Sequence, residues 1–154
     1  MMHPYRRSSP EQKLPKLHRL LIATNFDAAS QAAIDMGAAL AYRAGGTPSI
    51  HLVCVLEALM YTPWNMAALS ERDPDLHPEV THRVTNAVQH LREYGIENVE
   101  SSIEFGIAAD VIVRYAASGK FDVLILGRRQ KASTATYVMA RASIPVLTVA
   151  PPPP

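Results

Sequence analysis

Several features are scarce in this 154-residue chain, and each scarcity excludes something. There is one cysteine, Cys54, so no internal disulfide can form, and the chain suits a reducing cytoplasm. No apolar run approaches the roughly 20 residues that a membrane span needs, and the N-terminus has no apolar stretch of the signal-peptide kind. Neither sign of charge dominates: 15 Lys and Arg face 14 Asp and Glu, a net +1. A domain this close to neutral lacks the basic face that nucleic-acid backbones require. Catalytic motifs are missing too. There is no G-x-S-x-G elbow, no G-x-x-x-x-G-K-[S/T] loop and no S-G-G-x-D signature. No pair of carboxylates stands at two strand ends as an acid/base couple, so the expectation is a protein that is not an enzyme.

What is present describes one globular domain. Hydrophobic residues make up 48% and charged residues 19%, enough to bury a core at this length. Residues 1–16 carry Arg6, Arg7, Lys13 and Lys16 against Glu11, with Pro4, Pro10 and Pro15. This segment reads as a disordered basic lead-in, and Pro151 to Pro154 read as a short tail that cannot continue a strand ladder. The domain between them is residues 17–150.

Within it, apolar runs alternate with helical patterns. Leu20-Leu21-Ile22-Ala23 is apolar throughout, as strands buried on both faces are. Asn25-Phe26-Asp27 makes a polar turn, and Asp27 or Ser30 can cap a helix carrying Ala33, Met36, Leu40 and Ala44 at helical spacing. Gly45-Gly46 ends it. Ile50 to Leu56 is a second strand. Residues 57–77 are mixed, and Pro78 opens a helix with Val80, Val84, Val88 and Leu91 on one stripe. Val99 to Phe105 alternates like a strand nearer a sheet edge. After Gly106 comes a helix over Ala108 to Ser118, with Ile112 and Ala116 inward. Val123 to Leu126 is again fully apolar and ends at Gly127. A last helix starts at Ser133 or Thr134, and Val146 to Val149 is the last strand. The order β-α-β-α-β-α-β-α-β predicts an α/β fold: a five-stranded, mainly parallel sheet with helices on both faces. Ligands of such sheets bind beyond the strand C-termini where strand order reverses, here after the first and fourth strands.

Five segments in order resemble the universal stress protein family over roughly residues 18–150. His18 to Asp27 resembles its opening strand and T-D-F-S or V-D-G-S turn. His51 to Glu57 resembles its second strand, and Glu104-Phe105-Gly106 its third strand and turn. Phe121 to Gly127 resembles D-L-I-V-M-G, and Ala142 to Val149 resembles the closing C-P-V-L-V-V. The resemblance implies an adenine-nucleotide alpha-hydrolase-like, Rossmann-like domain acting in stress response. It also implies a cytoplasmic homodimer built on Val146, Leu147, Thr148 and Val149. The binding residues it implies are Thr24, Asn25, Phe26, Val53, Gly106, Gly127, Arg128, Arg129, Ser133 and Thr134.

ATP-binding members carry G-x-x-G, nine residues, then G-[S/T], because bare glycines let backbone N–H groups reach phosphate oxygens. Here Gly127 fills the first place, but Gln130 and Ala140 fill the others. Aligned back from Pro145, Ala132-Ser133 takes the G-[S/T] place, and the loop is eight residues short. The acidic residue that follows the first strand in many members is Asn25. No cofactor is required on this reading, and ATP binding is expected to be weak or absent. The alternative is a sensor of ATP, ADP or AMP, in which Arg128, Arg129 and Lys131 with Ser133 and Thr134 hold a smaller anion by charge-assisted hydrogen bonds.

Other candidates carry less. His82 and His90 lie two helical turns apart, and Asp73, Asp75, His77 and Glu79 alternate without zinc-like spacing, so no metal is expected. Cys54 reads as a buried, inert thiol, and His51 as a polar residue at strand entry. Met60 to Met66, which holds the only Trp, forms either a partner surface or lid, or a satellite of the core.

Overall fold

The computed structural model describes residues 16–45, 47–57, 78–129 and 134–154. The basic lead-in up to residue 15, the Trp-containing stretch, Asp73, Asp75, His77, Gln130, Lys131, Ala132 and Ser133 lie outside the described residues. The apolar runs become strands β1 (Arg19–Thr24), β2 (Ser49–Leu56), β3 (Val99–Phe105), β4 (Val123–Gly127) and β5 (Val146–Val149). The helices between them are α1 (Ala28–Arg43), α2 (Pro78–Glu93), α3 (Ala108–Ala116) and α4 (Thr134–Arg141). The sheet order is β3-β2-β1-β4-β5 and every pairing is parallel. The expected α/β architecture is therefore observed, with β3 and β5 at the two edges.

Strand β1 is apolar because both of its faces are covered. Leu20 and Ile22 join a core beneath α1 and α2, while Leu21 and Ala23 join a second core beneath α3 and α4. Leu20, Leu21 and Ile22 are fully buried, each worth roughly 1.5–3 kcal/mol of transfer free energy. The start of β1 is fixed by Asp122, whose Oδ2 accepts the backbone N–H groups of His18 (2.8 Å) and Arg19 (2.9 Å).

Helix α1 packs differently from the expected stripe. Its buried side is Ala33, Ile34, Gly37, Ala38 and Ala41, whereas Met36 is 40% exposed and Ala44 is exposed. The physical reason is closeness. A Cβ on Gly37 would overlap the Ile22 side chain, so α1 lays its smallest residues on the sheet and turns its thioether to solvent. The α2 stripe holds: Val84 and Leu91 are buried and Val80 and Val88 pack on the cores beside them.

The end of β4 meets α1 just as closely. A Cβ on Gly127 would lie 2.6 Å from the Ala29 carbonyl oxygen and 2.7 Å from the Ser30 nitrogen. These are backbone atoms of the first turn of α1 and cannot step aside as a side-chain tip could. Gly127→Ala is expected to destabilise the fold by about 1–3 kcal/mol through overpacking. The urea midpoint should fall while the slope of the transition stays unchanged.

At the opposite edge, β3 exposes a polar row on the α3 side. His51 Nε2 contacts Ser102 Oγ (2.8 Å), Ser102 Oγ contacts the Tyr115 hydroxyl (3.0 Å), and Tyr115 donates to Glu104 Oε1 (2.5 Å). A hydrogen in every gap requires His51 to donate from Nε2, Ser102 to donate to Tyr115, and Tyr115 to donate to Glu104. The imidazole is 17% exposed and rests against the Tyr115 and Phe121 rings. Burial lowers its pKa from the ordinary value, and the charge of Arg19 acts in the same direction, while Glu100 and Glu104 oppose them. A depressed histidine pKa means that the folded chain binds fewer protons than the unfolded one near and below pH 6.5. Stability should therefore decline as pH falls through that window. An NMR titration of His51 should show a midpoint below 6.5, and His51→Gln should flatten the decline in unfolding free energy between pH 7 and about 5.5.

Candidate functional site

Where strand order reverses, the C-terminal ends of β1 and β4 open onto a cleft of about 1080 Å³. That is the position at which open parallel sheets take ligands, and the volume suits a nucleotide-sized molecule. Its wall is built from the turn after β1, the end of β2, the end of β4, the start of α4 and the C-terminal prolines.

The turn after β1 is held by its own side chains. Thr24 Oγ1 accepts the Phe26 N–H (3.0 Å), which supports Phe26 at φ +63°, an uncommon conformation for a residue with a Cβ. Asn25 Oδ1 accepts the Asp27 N–H (3.1 Å) and the Ser30 hydroxyl (2.7 Å), and the Asn25 N–H donates to Ser30 Oγ (3.2 Å). Asp27 caps α1, with Oδ1 accepting the Ser30 N–H at 2.8 Å. Its Oδ2 accepts Arg129 Nε–H at 2.7 Å, which ties the segment after β4 to the turn after β1. Burial pushes the Asp27 carboxyl up, but the Ser30 and Arg129 hydrogen bonds and the Arg129 charge outweigh it and hold its pKa below the ordinary value.

Glu57, the residue after β2, performs a cap across space. Helix α3 has Ile107 at its N-cap, which supplies no side-chain bond. Instead Glu57 Oε1 accepts the Ala108 N–H at 3.1 Å. Arg83 of α2 also reaches the cleft and is paired with Glu79 at 3.0 Å.

Of the residues expected at the site, Thr24, Asn25, Phe26, Gly127, Arg128, Arg129 and Thr134 line the cleft together. Val53 does not: it is fully buried in mid-strand, and Val55, two residues nearer the strand end, lines the cleft in its place. Gly106 is not a lining residue either. Its N–H donates to the Leu56 carbonyl at the end of β2 (3.1 Å), extending the β2–β3 ladder, and its φ of +141° turns the chain toward α3. Ser133 lies outside the described residues. Asp27 lines the cleft as well, in the turn after the first strand where a ligand was expected, whereas Glu57, Arg83 and Pro151 to Pro154 line it and were not expected there. The signal for the prolines was available. In an all-parallel sheet every strand ends at the same edge, so a tail leaving β5 must arrive beside the ligand cleft.

Cys54 is buried, and desolvation pushes its thiol up to about 11, so it carries no thiolate at neutral pH. Among the described residues no group of three or more metal-binding side chains gathers.

Solved structures share this arrangement. The universal stress protein UspA from Lactobacillus plantarum is 21% identical, with a TM-score of 0.74, covering 88% of this chain and 99% of that one. A universal stress protein in complex with cAMP is 17% identical with a TM-score of 0.63, covering 88% of this chain and 98% of that one. A universal stress protein family protein from Arabidopsis thaliana with AMP bound is 17% identical with a TM-score of 0.67, covering 88% and 92%. At these identities the likeness concerns the fold. No curated protein sequence matches the chain. The Universal stress protein family matches residues 16–150, nearly the whole of the described fold, and the chain belongs to that family.

Proposed function

We propose that this chain is a non-enzymatic stress-response domain, dimeric through β5, whose cleft senses an adenine nucleotide and holds ATP weakly or not at all. The carrying observation is Gly127. The side of this glycine on which a Cβ would project is filled by the backbone of Ala29 and Ser30, so its bareness is accounted for by packing and need not mark a phosphate site. The short loop that follows it has lost the other glycines of the triphosphate pattern. Relatives with AMP and with cAMP support an adenine ligand in this fold. The hydroxyl oxygens of Thr24 and Ser30 are engaged in the β1–α1 turn. The inert Cys54 suits work in the cytoplasm.

Thermal denaturation with AMP, cyclic AMP, ADP and ATP tests the reading. A nucleotide at about 100 times its Kd should add roughly 2.7 kcal/mol of stability, and ATP should give the smallest gain. Incubation with ATP should release no ADP above the buffer blank. Stabilisation by none of the four would refute the sensor.

The dimer rests on the phase of the β5 ladder. Leu124 N–H donates to the Pro145 carbonyl (2.9 Å) and Arg128 N–H to the Val149 carbonyl (2.8 Å). With alternate residues of β5 bonded to β4, Val146 and Thr148 turn their backbone groups to the free edge, where a second copy can pair with them. Thr148→Pro removes one outward N–H and none bonded to β4, a substitution edge strands tolerate. Light scattering should then show monomer with the fold intact, and a persisting dimer would place the contact elsewhere.

A further inference from the structure

Two features of the cleft that ordinarily attract phosphate are occupied by the chain's own carboxylates. The N-terminus of α3 would offer an N–H and partial positive charge, but Glu57 Oε1 sits on the Ala108 N–H at 3.1 Å. Arg129 would offer a guanidinium, but Asp27 Oδ2 sits on its Nε–H at 2.7 Å. Arg83, the third cation, is paired with Glu79. Among the described residues, Arg128 is the cleft arginine without a carboxylate partner. Arg83 and Arg129 thus stand in ion pairs within the chain, and Glu57 is a further carboxylate of the described lining. Pro151 to Pro154 add rings and carbonyl oxygens to the wall but no N–H donor, since proline has none.

We propose that Glu57 limits the negative charge of the nucleoside ligands that the cleft prefers. This rests on the reading of the cleft as an adenine-nucleotide site. A phosphomonoester carries about −1.5 to −2 at neutral pH and meets the Glu57 charge more strongly than a phosphodiester or an uncharged sugar does. The carboxylate of Glu57 acts as a resident anion at the N-terminus of α3, which lines the cleft. Any second anion placed there must displace it or endure its charge in a partly desolvated space.

Calorimetric titration of the full chain with adenosine, cyclic AMP, AMP and ATP, at one ionic strength, tests the proposal. Adenosine and cyclic AMP should bind at least about tenfold more tightly than ATP, with AMP between them. Glu57→Gln keeps an oxygen acceptor for the Ala108 N–H and removes only the charge. It should tighten AMP and ATP by about three- to tenfold and leave adenosine within about twofold. ATP binding as tightly as cyclic AMP, in a chain that binds both, would overturn the charge limit and leave the adenine site standing. An equal effect of Glu57→Gln on all four ligands would overturn the role of Glu57. Binding of none of the four would overturn the adenine site and this inference together.

Discussion

The end of β4 and the first turn of α1 approach so closely that only a residue without a side chain can stand between them. Gly127 occupies that gap, and the consequences spread outward from it. With the strand end against the helix start, Arg129 lies within reach of the Asp27 cap, and their ion pair ties the two segments that frame the cleft. Asp27 in turn orders Ser30, and Ser30 and Asn25 exchange hydrogen bonds that set the turn carrying Phe26. A single steric constraint thus passes through a cap and an ion pair into the shape of the site.

The same economy explains why the cleft looks less like a phosphate trap than its position suggests. Polar groups at the strand ends are answered from within the chain: an aspartate by an arginine, a helix terminus by a glutamate, a hydroxyl by an amide side chain. Satisfying them internally rigidifies the wall and removes the desolvation penalty of unpaired groups, but it also uses up donors that a polyanion would need. Stability of the site and appetite for charge pull in opposite directions here, and the pairing distances near 3 Å favour stability.

The architecture was largely legible in the sequence because the signals were strong and periodic. Four-residue apolar runs such as Leu20 to Ala23 and Val123 to Leu126 have few alternatives to a strand covered on both sides. Finer placements failed where two readings share one period. Val53 and Val55 lie on the same face of β2, and only the point where the strand ends separates a core residue from a lining one. In α1 the buried face is marked by smallness, so the stripe drawn through Met36 missed the one through Gly37 and Ala38. Gly127 was visible as a glycine at the right place, yet sequence cannot say whether its bareness serves a ligand or a neighbouring backbone. Glu57 closes a helix 51 residues further along, a partnership no local pattern encodes.

The direction of the sheet has a practical side. All five strands run the same way, so His18 enters at one end of the molecule and the prolines leave at the other, beside the cleft. A purification handle or fluorescent fusion joined after Pro154 would begin at the mouth of the ligand cavity and compete for its space. One joined ahead of residue 16 starts from the far rim of the sheet, which makes that attachment point the better choice for any measurement of affinity.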